Sequence, residues 1–438
     1  MPRPKARAAR LVAPLLALVL VAVACSDGDD DDESTTTTTP PTSAPTDGDD
    51  GADGDDPDDD ADDGDDTEGD GGDASGAFVA EGEPPFGDDV VTEAIAFVEA
   101  ETGRTFVDPP RIVAQTDEEY EAGAAELLEE DLDELQEDID AMARYYQALA
   151  GSELGPGELL DAVLDLYSDS DTILGYYVPE DDALFLPVSA GDDPELRVTL
   201  VHELVHALDD QYVDLDAMSE EASSDENEGT EAGIVLDLVV EGRASSVEER
   251  WRQEQGEGGD GSEEPFELPE VLEVVPPMLV TEIGLPYEFG LAAIEARGGA
   301  SATWSLLEDT RPETVDALLF DPGGDVSDVD ATATLEELHR GAFGVVDIIA
   351  VLAGQSLEPD EATVITATEA AVGWAGGEYV VTGDDTESCV VISLAADTDR
   401  DLAELEDAFS AWASGDDGRD VSVDGDRVVV DACAPYVS

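Results

Sequence analysis

Apolar residues three and four apart predict helices over much of the chain, with short β-branched runs between them. Val90, Ile95 and Val98 mark a helix over 90–100, the Glu/Ala/Leu-rich stretch 118–150 holds one or two more, and 157–167 another. Residues 111–114 read as a strand behind Pro109-Pro110. The runs 173–178 and 183–187 flank Pro179-Glu180-Asp181-Asp182 as a hairpin. Asp193-Pro194 then has the chemistry of a helix start, an N-cap followed by proline at the first helical position. The helix it opens runs to about 212, and Leu200, Val201, Leu204, Val205 and Leu208 put apolar side chains around most of it, as in a helix buried inside a domain.

Further on, 218–230 is polar and reads as a surface loop, 231–255 as a long helix, and 256–264 as a Gly/Glu-rich loop. Pro286 opens a helix that ends at Gly298-Gly299, and 343–352 is a short apolar helix. The last part reads strand (378–382), strand (389–394), helix (401–413) and a hairpin over 421–430. This succession predicts an α+β protein, with a main domain over 76–355 and a small α+β unit over 356–438.

The first 75 residues have none of this periodicity. Arg3, Lys5, Arg7 and Arg10 precede an apolar run, 11–24, that is short for a bilayer span and reads as a secretory signal over 1–24. Ala22-Val23-Ala24-Cys25 resembles the lipobox of bacterial lipoproteins, in which the cysteine becomes the lipidated first residue; a plain signal peptide cut near Ala24 is the alternative. Residues 25–75 are Asp, Gly, Thr and Pro with no basic side chain, and cannot bury enough apolar surface to offset the entropy of ordering. They form a self-repelling tether. On this reading the protein is extracytoplasmic and held to the cell membrane through a lipid on Cys25.

The formal net charge is −95, and the single lysine is Lys5. A phosphate backbone is repelled by such a surface, which excludes a general nucleic-acid binder. Besides Cys25 there are only Cys389 and Cys433, each at the end of a strand-like run; an even pair in an exported protein favours a disulfide over a metal site.

The chemistry concentrates at Val201-His202-Glu203-Leu204-Val205-His206, which holds two of the three histidines. At a spacing of four on a helix, His202 and His206 share a face and can bind one metal ion, while Glu203 can act as general base towards a water beside it. Downstream, Val239-Val240-Glu241-Gly242-Arg243-Ala244 sets one acid among aliphatic residues. An acid on an apolar face needs a partner, and a metal ion suffices, so Glu241 is the candidate third ligand. Two imidazoles and one carboxylate leave a position open on Zn²⁺, the catalytic rather than the structural pattern. Asp210, four beyond His206, either orients an imidazole or is a surface acid at the helix end. His339 fits a helix-end or core histidine better than a catalytic one.

His202-Glu203-Leu204-Val205-His206 followed by Glu241-Gly242 resembles the gluzincin metallopeptidases. Val240-Glu241-Gly242-Arg243-Ala244 is similar to the Asn-Glu-Gly-Phe-Ala motif of the aminopeptidase-N-like branch, and Pro286-Tyr287-Glu288-Phe289-Gly290 to its Pro-Tyr-Glu-Lys-Gly. The chain also resembles a group of bacterial and archaeal zincin-like proteins with a late Gly-Trp-x-Gly-Gly turn, here Gly373-Trp374-Ala375-Gly376-Gly377. The resemblance spans about 170–380. It implies a zincin-like catalytic domain, with a mixed-sheet lobe and a helical lobe, whose zinc is held by His202, His206 and Glu241. Glu203 would activate water and Tyr287 steady the oxyanion; a helix-packing aromatic is the other reading of Tyr287. The hairpin before the metal helix would offer its edge to an extended peptide or protein substrate, or be an ordinary part of the core sheet. The Gly-x-Met-Glu-Asn element that grips a free amine in the aminopeptidases is absent, which turns the expectation towards an endopeptidase. A different class is a non-catalytic envelope lipoprotein that keeps the zincin fold as a binding or structural module.

Overall fold

The structure, a computed structural model, describes residues 78–438 apart from 169–173, 192, 225–226, 228–229, 256–271, 273, 321–326, 328, 334 and 336. The signal over 1–24, the tether over 25–75, Cys25 and the loop at 256–264 lie outside the described residues. The fold is α+β, with two sheets set among helices.

The first sheet has the order β1 (Val79–Glu81), β2 (Arg111–Gln115), β4 (Ala183–Pro187), β3 (Tyr176–Val178). β1, β2 and β4 run parallel, while β3 returns antiparallel on the edge, Tyr177 facing Leu184. Helix α1 (Asp88–Thr102) connects β1 to β2. Thr116 then opens α2 (Asp117–Ala150) with a capping box, its hydroxyl accepting from the Glu119 N–H while the Glu119 carboxylate accepts from the Thr116 N–H. One helix therefore occupies the stretch that the pattern divided into one or two. Its C-terminal half reaches the second sheet: Gln147, fully buried, donates to the carbonyls of Leu154 and Val437 and accepts from Ser388. α3 (Pro156–Ser168) follows and packs on α2.

Asp193 caps α4 (Pro194–Val213), accepting from the Glu195 N–H as the Asp-Pro pair predicts. Residues 218–230 were expected to be a loop, yet α5 (Leu215–Ala222) covers their first part. Asp214 caps it through Ala217 N–H, and Leu215 and Ala222 are buried, so an amphipathic turn outweighs the local polarity. α6 (Ala232–Gln255) lies against α4. The pairs Glu195 with Arg252, His202 with Glu248 and Asp209 with Arg243 join early residues of one helix to late residues of the other, so the two run antiparallel.

α7 (Pro277–Glu295) begins a full nine residues ahead of Pro286, which sits inside it. Pro277 takes the first-turn position assigned to Pro286. Met278, Leu279 and Ile283 are buried, and that packing outweighs the hydrogen bond an interior proline forfeits. Two short helices, α8 (Trp304–Glu308) and α9 (Val315–Leu319), close this part of the fold.

The second sheet is antiparallel throughout, in the order β5 (Glu337–Ala342), β6 (Trp374–Gly383), β7 (Glu387–Ala396), β9 (Arg427–Pro435), β8 (Arg419–Asp424). Between its strands lie α10 (Val345–Ala353), α11 (Glu361–Ala371) and α12 (Asp399–Ala413). Of the segment Gly373-Trp374-Ala375-Gly376-Gly377, read from the sequence as a turn, only Gly373 precedes β6; the other four open the strand, whose register shifts between Trp374 and Gly376. Cys389 and Cys433 face each other across β7 and β9 and are joined as a disulfide. Among the described residues no helix is long and apolar enough to cross a membrane.

Candidate metal centre

α4 is buried on nearly every face from Leu196 to Asp209, so its polar residues can be satisfied only by neighbouring elements. His202 and His206 stand one turn apart with ring centroids 4.8 Å from each other. Glu241, from the middle of α6, reaches between them: its Oε2 is 3.2 Å from His202 Nε2 and 3.7 Å from His206 Nε2. One donor atom from each of the three residues lies within 4.8 Å of the other two. Three donors placed tetrahedrally about 2.1 Å from one ion stand about 3.4 Å apart, so the set fits a divalent cation. All three side chains are buried, His202 to 1% exposure.

The rest of the local geometry fixes the orientation of these donors. His202 Nδ1 lies 2.9 Å from Glu248 Oε2, two turns beyond Glu241 on α6. With Nδ1–H donating to that carboxylate, the Nε2 lone pair is left to face the metal position. Glu248 is itself held by Arg252, whose guanidinium also reaches Glu195 at the start of α4. Burial alone would lower the His202 pKa, but the hydrogen bonds to Glu241 and Glu248 carry it up to about 10. Burial pushes Glu241 upward, and the imidazoles of His206 and His202 outweigh it and hold the carboxyl at about 2. Glu241 is thus an ionised donor between two imidazoles. His206 Nδ1 is buried and has no hydrogen-bond partner among the described residues.

Glu203 is 1% exposed, and its Oε2 has no hydrogen-bond partner among the described residues. Burial raises its pKa to about 7 against the pull of His206 and His202, with the backbone of Tyr177 in β3 also hydrogen-bonded to it. The carboxyl therefore lies beside the edge strand of the first sheet, and its proton affinity is near neutrality, where a general base works best. Among the described residues no hydrogen bond or ion pair joins Asp210 to an imidazole. It accepts from the Tyr177 hydroxyl and from Leu215 N–H, tying the end of α4 to β3 and to α5.

Tyr287 comes from α7, its ring centroid 6.0 Å from that of His202. Two glycines explain the approach. A Cβ on Gly242 would lie 2.2 Å from the Gly290 carbonyl carbon, and one on Gly290 would lie 2.3 Å from the Leu238 oxygen. α6 and α7 therefore cross backbone against backbone, which sets Glu241, next to Gly242, and Tyr287, one turn before Gly290, around the same histidines.

Sequence reasoning missed three other features. Asp209 and Arg243, both fully buried, form a bidentate pair at 2.7 and 2.8 Å; the guanidinium also donates to Ala300 O and Thr303 and lies 4.2 Å over the Trp304 ring. Glu248 orients His202. Asp237, one turn before Glu241, is buried, and burial followed by the Glu241 charge raises its pKa to about 8. Helical spacing carries the signal for two of these, because 237, 241 and 248 fall on one face of α6. The Arg243 pairing depends on the crossing of α4 and α6 and has no sequence signature. His339 lies on β5, bonded through Nε2 to the Tyr379 hydroxyl at 3.1 Å, outside the metal group.

A family model described as a domain of unknown function (DUF8575) matches residues 333–436, which is the second sheet with its helices and does not include the metal centre. No curated protein and no solved structure matches the chain.

Proposed function

We propose that the protein is a zinc-dependent, gluzincin-like peptidase with a zincin-like catalytic domain. The observation that carries this reading is the convergence of His202, His206 and Glu241 on one point, with the Glu203 carboxyl buried beside it and one oxygen unpartnered. Zinc matches the donor chemistry, two imidazoles and a carboxylate. Held there by His202, His206 and Glu241, it would supply Lewis acidity, polarising a substrate carbonyl and making water a stronger acid.

The chain's own groups do the rest. Glu203 takes a proton from water as the water oxygen attacks the carbonyl carbon, then gives it to the nitrogen as the C–N bond breaks. The Tyr287 phenol donates to the carbonyl oxygen as charge develops there. The β3 edge lines up an extended peptide by main-chain hydrogen bonds. Glu248 keeps His202 turned with Nε2 inward.

Glu203 favours an enzyme over a structural metal site, since an ion used only to hold the fold needs no base beside it. The near-complete burial of the centre favours the second reading, a non-catalytic binding or structural module of the cell envelope. In either case Cys25 anchors the protein outside the cytoplasm, and Cys25→Ser abolishes fatty-acid labelling. The native protein is expected to contain one equivalent of zinc by elemental analysis, lost in Glu241→Ala. Peptide cleavage vanishes in Glu203→Gln while the zinc remains. A metal-free native protein would remove the site, and full activity in Glu203→Gln would remove the mechanism and leave the module.

A further inference from the structure

The face of α6 turned to the metal helix carries three acids, Asp237, Glu241 and Glu248. Two have identified partners: Glu241 meets both imidazoles, and Glu248 meets His202 and Arg252. Asp237 is 6% exposed, its Oδ2 is fully buried, and no hydrogen bond from the described residues reaches that oxygen. Other buried acids around these helices have at least one identified partner, although Glu203 Oε2 and Glu231 Oε1 also lack a hydrogen-bond partner among the described residues. Asp209 has Arg243, Glu231 accepts the Val315 N–H, and Glu282 accepts from the Tyr146 hydroxyl. A buried carboxyl with an unused oxygen costs free energy for as long as nothing binds it.

Three observations indicate what would bind. Asp237 sits one turn from Glu241 on the same face, and Glu241 is the charged group that acts on it electrostatically, so the carboxyl belongs to the surroundings of the metal centre. No arginine of the described chain pairs with it. With a net charge of −95, the whole molecule draws cations towards the site and repels acidic peptides. We infer that Asp237 is a specificity-determining residue that accepts a positively charged nitrogen of the substrate, from a lysine or arginine side chain or a free α-amine. This rests on the peptidase reading, because it is the metal centre that makes this face of α6 a substrate surface. In that role the Asp237 carboxyl supplies an oxygen that no described residue of the chain bonds, one turn from the Glu241 carboxylate that the ion would take.

The test measures binding, so it does not depend on turnover. Zinc-loaded Glu203→Gln protein is titrated by calorimetry with matched short peptides that carry arginine, lysine, norleucine or glutamate at one position, each with a free or an acetylated N-terminus. Peptides bearing the cation are expected to bind about ten- to a hundredfold tighter than their neutral counterparts, the range for a hydrogen bond to a charged group. A gap between arginine and norleucine peptides assigns the contact to the side chain, and a gap between free and acetylated peptides assigns it to the amine. The gap disappears in Asp237→Asn and is kept in Asp237→Glu, with zinc content and melting temperature checked in both. Equal affinity for cationic and norleucine peptides, absence of binding by every peptide, or a preference that survives Asp237→Asn would overturn the inference. Failure of the peptidase reading shows up separately, as wild-type protein that binds the cationic peptides and leaves them uncut.

Discussion

Replacing Arg243 with methionine tests whether α4 and α6, which carry the candidate metal ligands, are held in register by a buried ion pair. Arg243 and Asp209 are both 0% exposed, and one guanidinium satisfies both carboxylate oxygens of Asp209, the Ala300 carbonyl and the Thr303 hydroxyl. Methionine fills a similar volume but leaves Asp209 as an uncompensated buried charge, a loss of about 3–5 kcal/mol. For a folded part of about 360 residues, an unfolding entropy of about 2.1 cal/mol/K per residue converts that loss to a fall of roughly 4–7 °C in melting temperature. The sign reverses when the charge is removed as well. In Asp209→Leu/Arg243→Met the cost of desolvating the ions is gone, and stability is expected to return to within about 1 kcal/mol of the parent or to exceed it. Asp209 lies three residues beyond His206, and Arg243 two beyond Glu241, so the single variant should also loosen the metal centre. Scanning calorimetry of the parent, both single variants and the double variant, with competition against a chelator, measures both effects. A melting point within 1 °C of the parent in Arg243→Met, or a double variant as unstable as the two singles combined, would refute the clamp.

Glu248→Gln keeps the shape but weakens the hydrogen bond that orients His202; on the proposed zinc reading, affinity for the ion is expected to fall about 10- to 100-fold, read by chelator competition, with little change in melting temperature. Burial first, and Asp347 second, push Glu282 up to about 8 against the pull of the Tyr146 hydroxyl. Because that value lies above the ordinary carboxyl value of 4.5, the folded protein keeps a proton the unfolded chain has lost, and stability declines as pH rises from about 4.5 to about 8, then levels off. Glu282→Gln should flatten the decline by an amount on the order of a few kcal/mol, measured from denaturation midpoints at pH 5 and pH 8; an unchanged slope would show that Glu282 ionises freely in the native state. The Cys389–Cys433 bridge closes a loop with a separation of 44 residues, so Cys389→Ala/Cys433→Ala is expected to cost about 4 kcal/mol in the chain-entropy account. A melting point insensitive to reductant would contradict that.

The linear chain settled whatever depends on neighbours a few residues apart. The spacing of His202 and His206 puts two imidazoles on one helix face, Asp193-Pro194 starts that helix, and Thr116 with Glu119 starts α2; each follows from local stereochemistry. The single acid in the aliphatic run 239–244 pointed to Glu241 because an unpaired buried charge is too costly to keep. Local rules gave out where packing overrode them. Pro286 has the chemistry of a helix start, but the buried face of Met278, Leu279 and Ile283 carries α7 through it. The loop expected over 218–230 became α5 in part because Leu215 and Ala222 had a core to enter. Tertiary structure alone decided that α4 and α6 run antiparallel, that Glu248 rather than Asp210 serves an imidazole, and that Asp209 meets Arg243. It also decided that Gly242 and Gly290 let two helices touch closely enough to bring Tyr287 beside His202. These pairings join residues on separate elements, and their positions follow from how the helices cross, which no stretch of sequence encodes by itself.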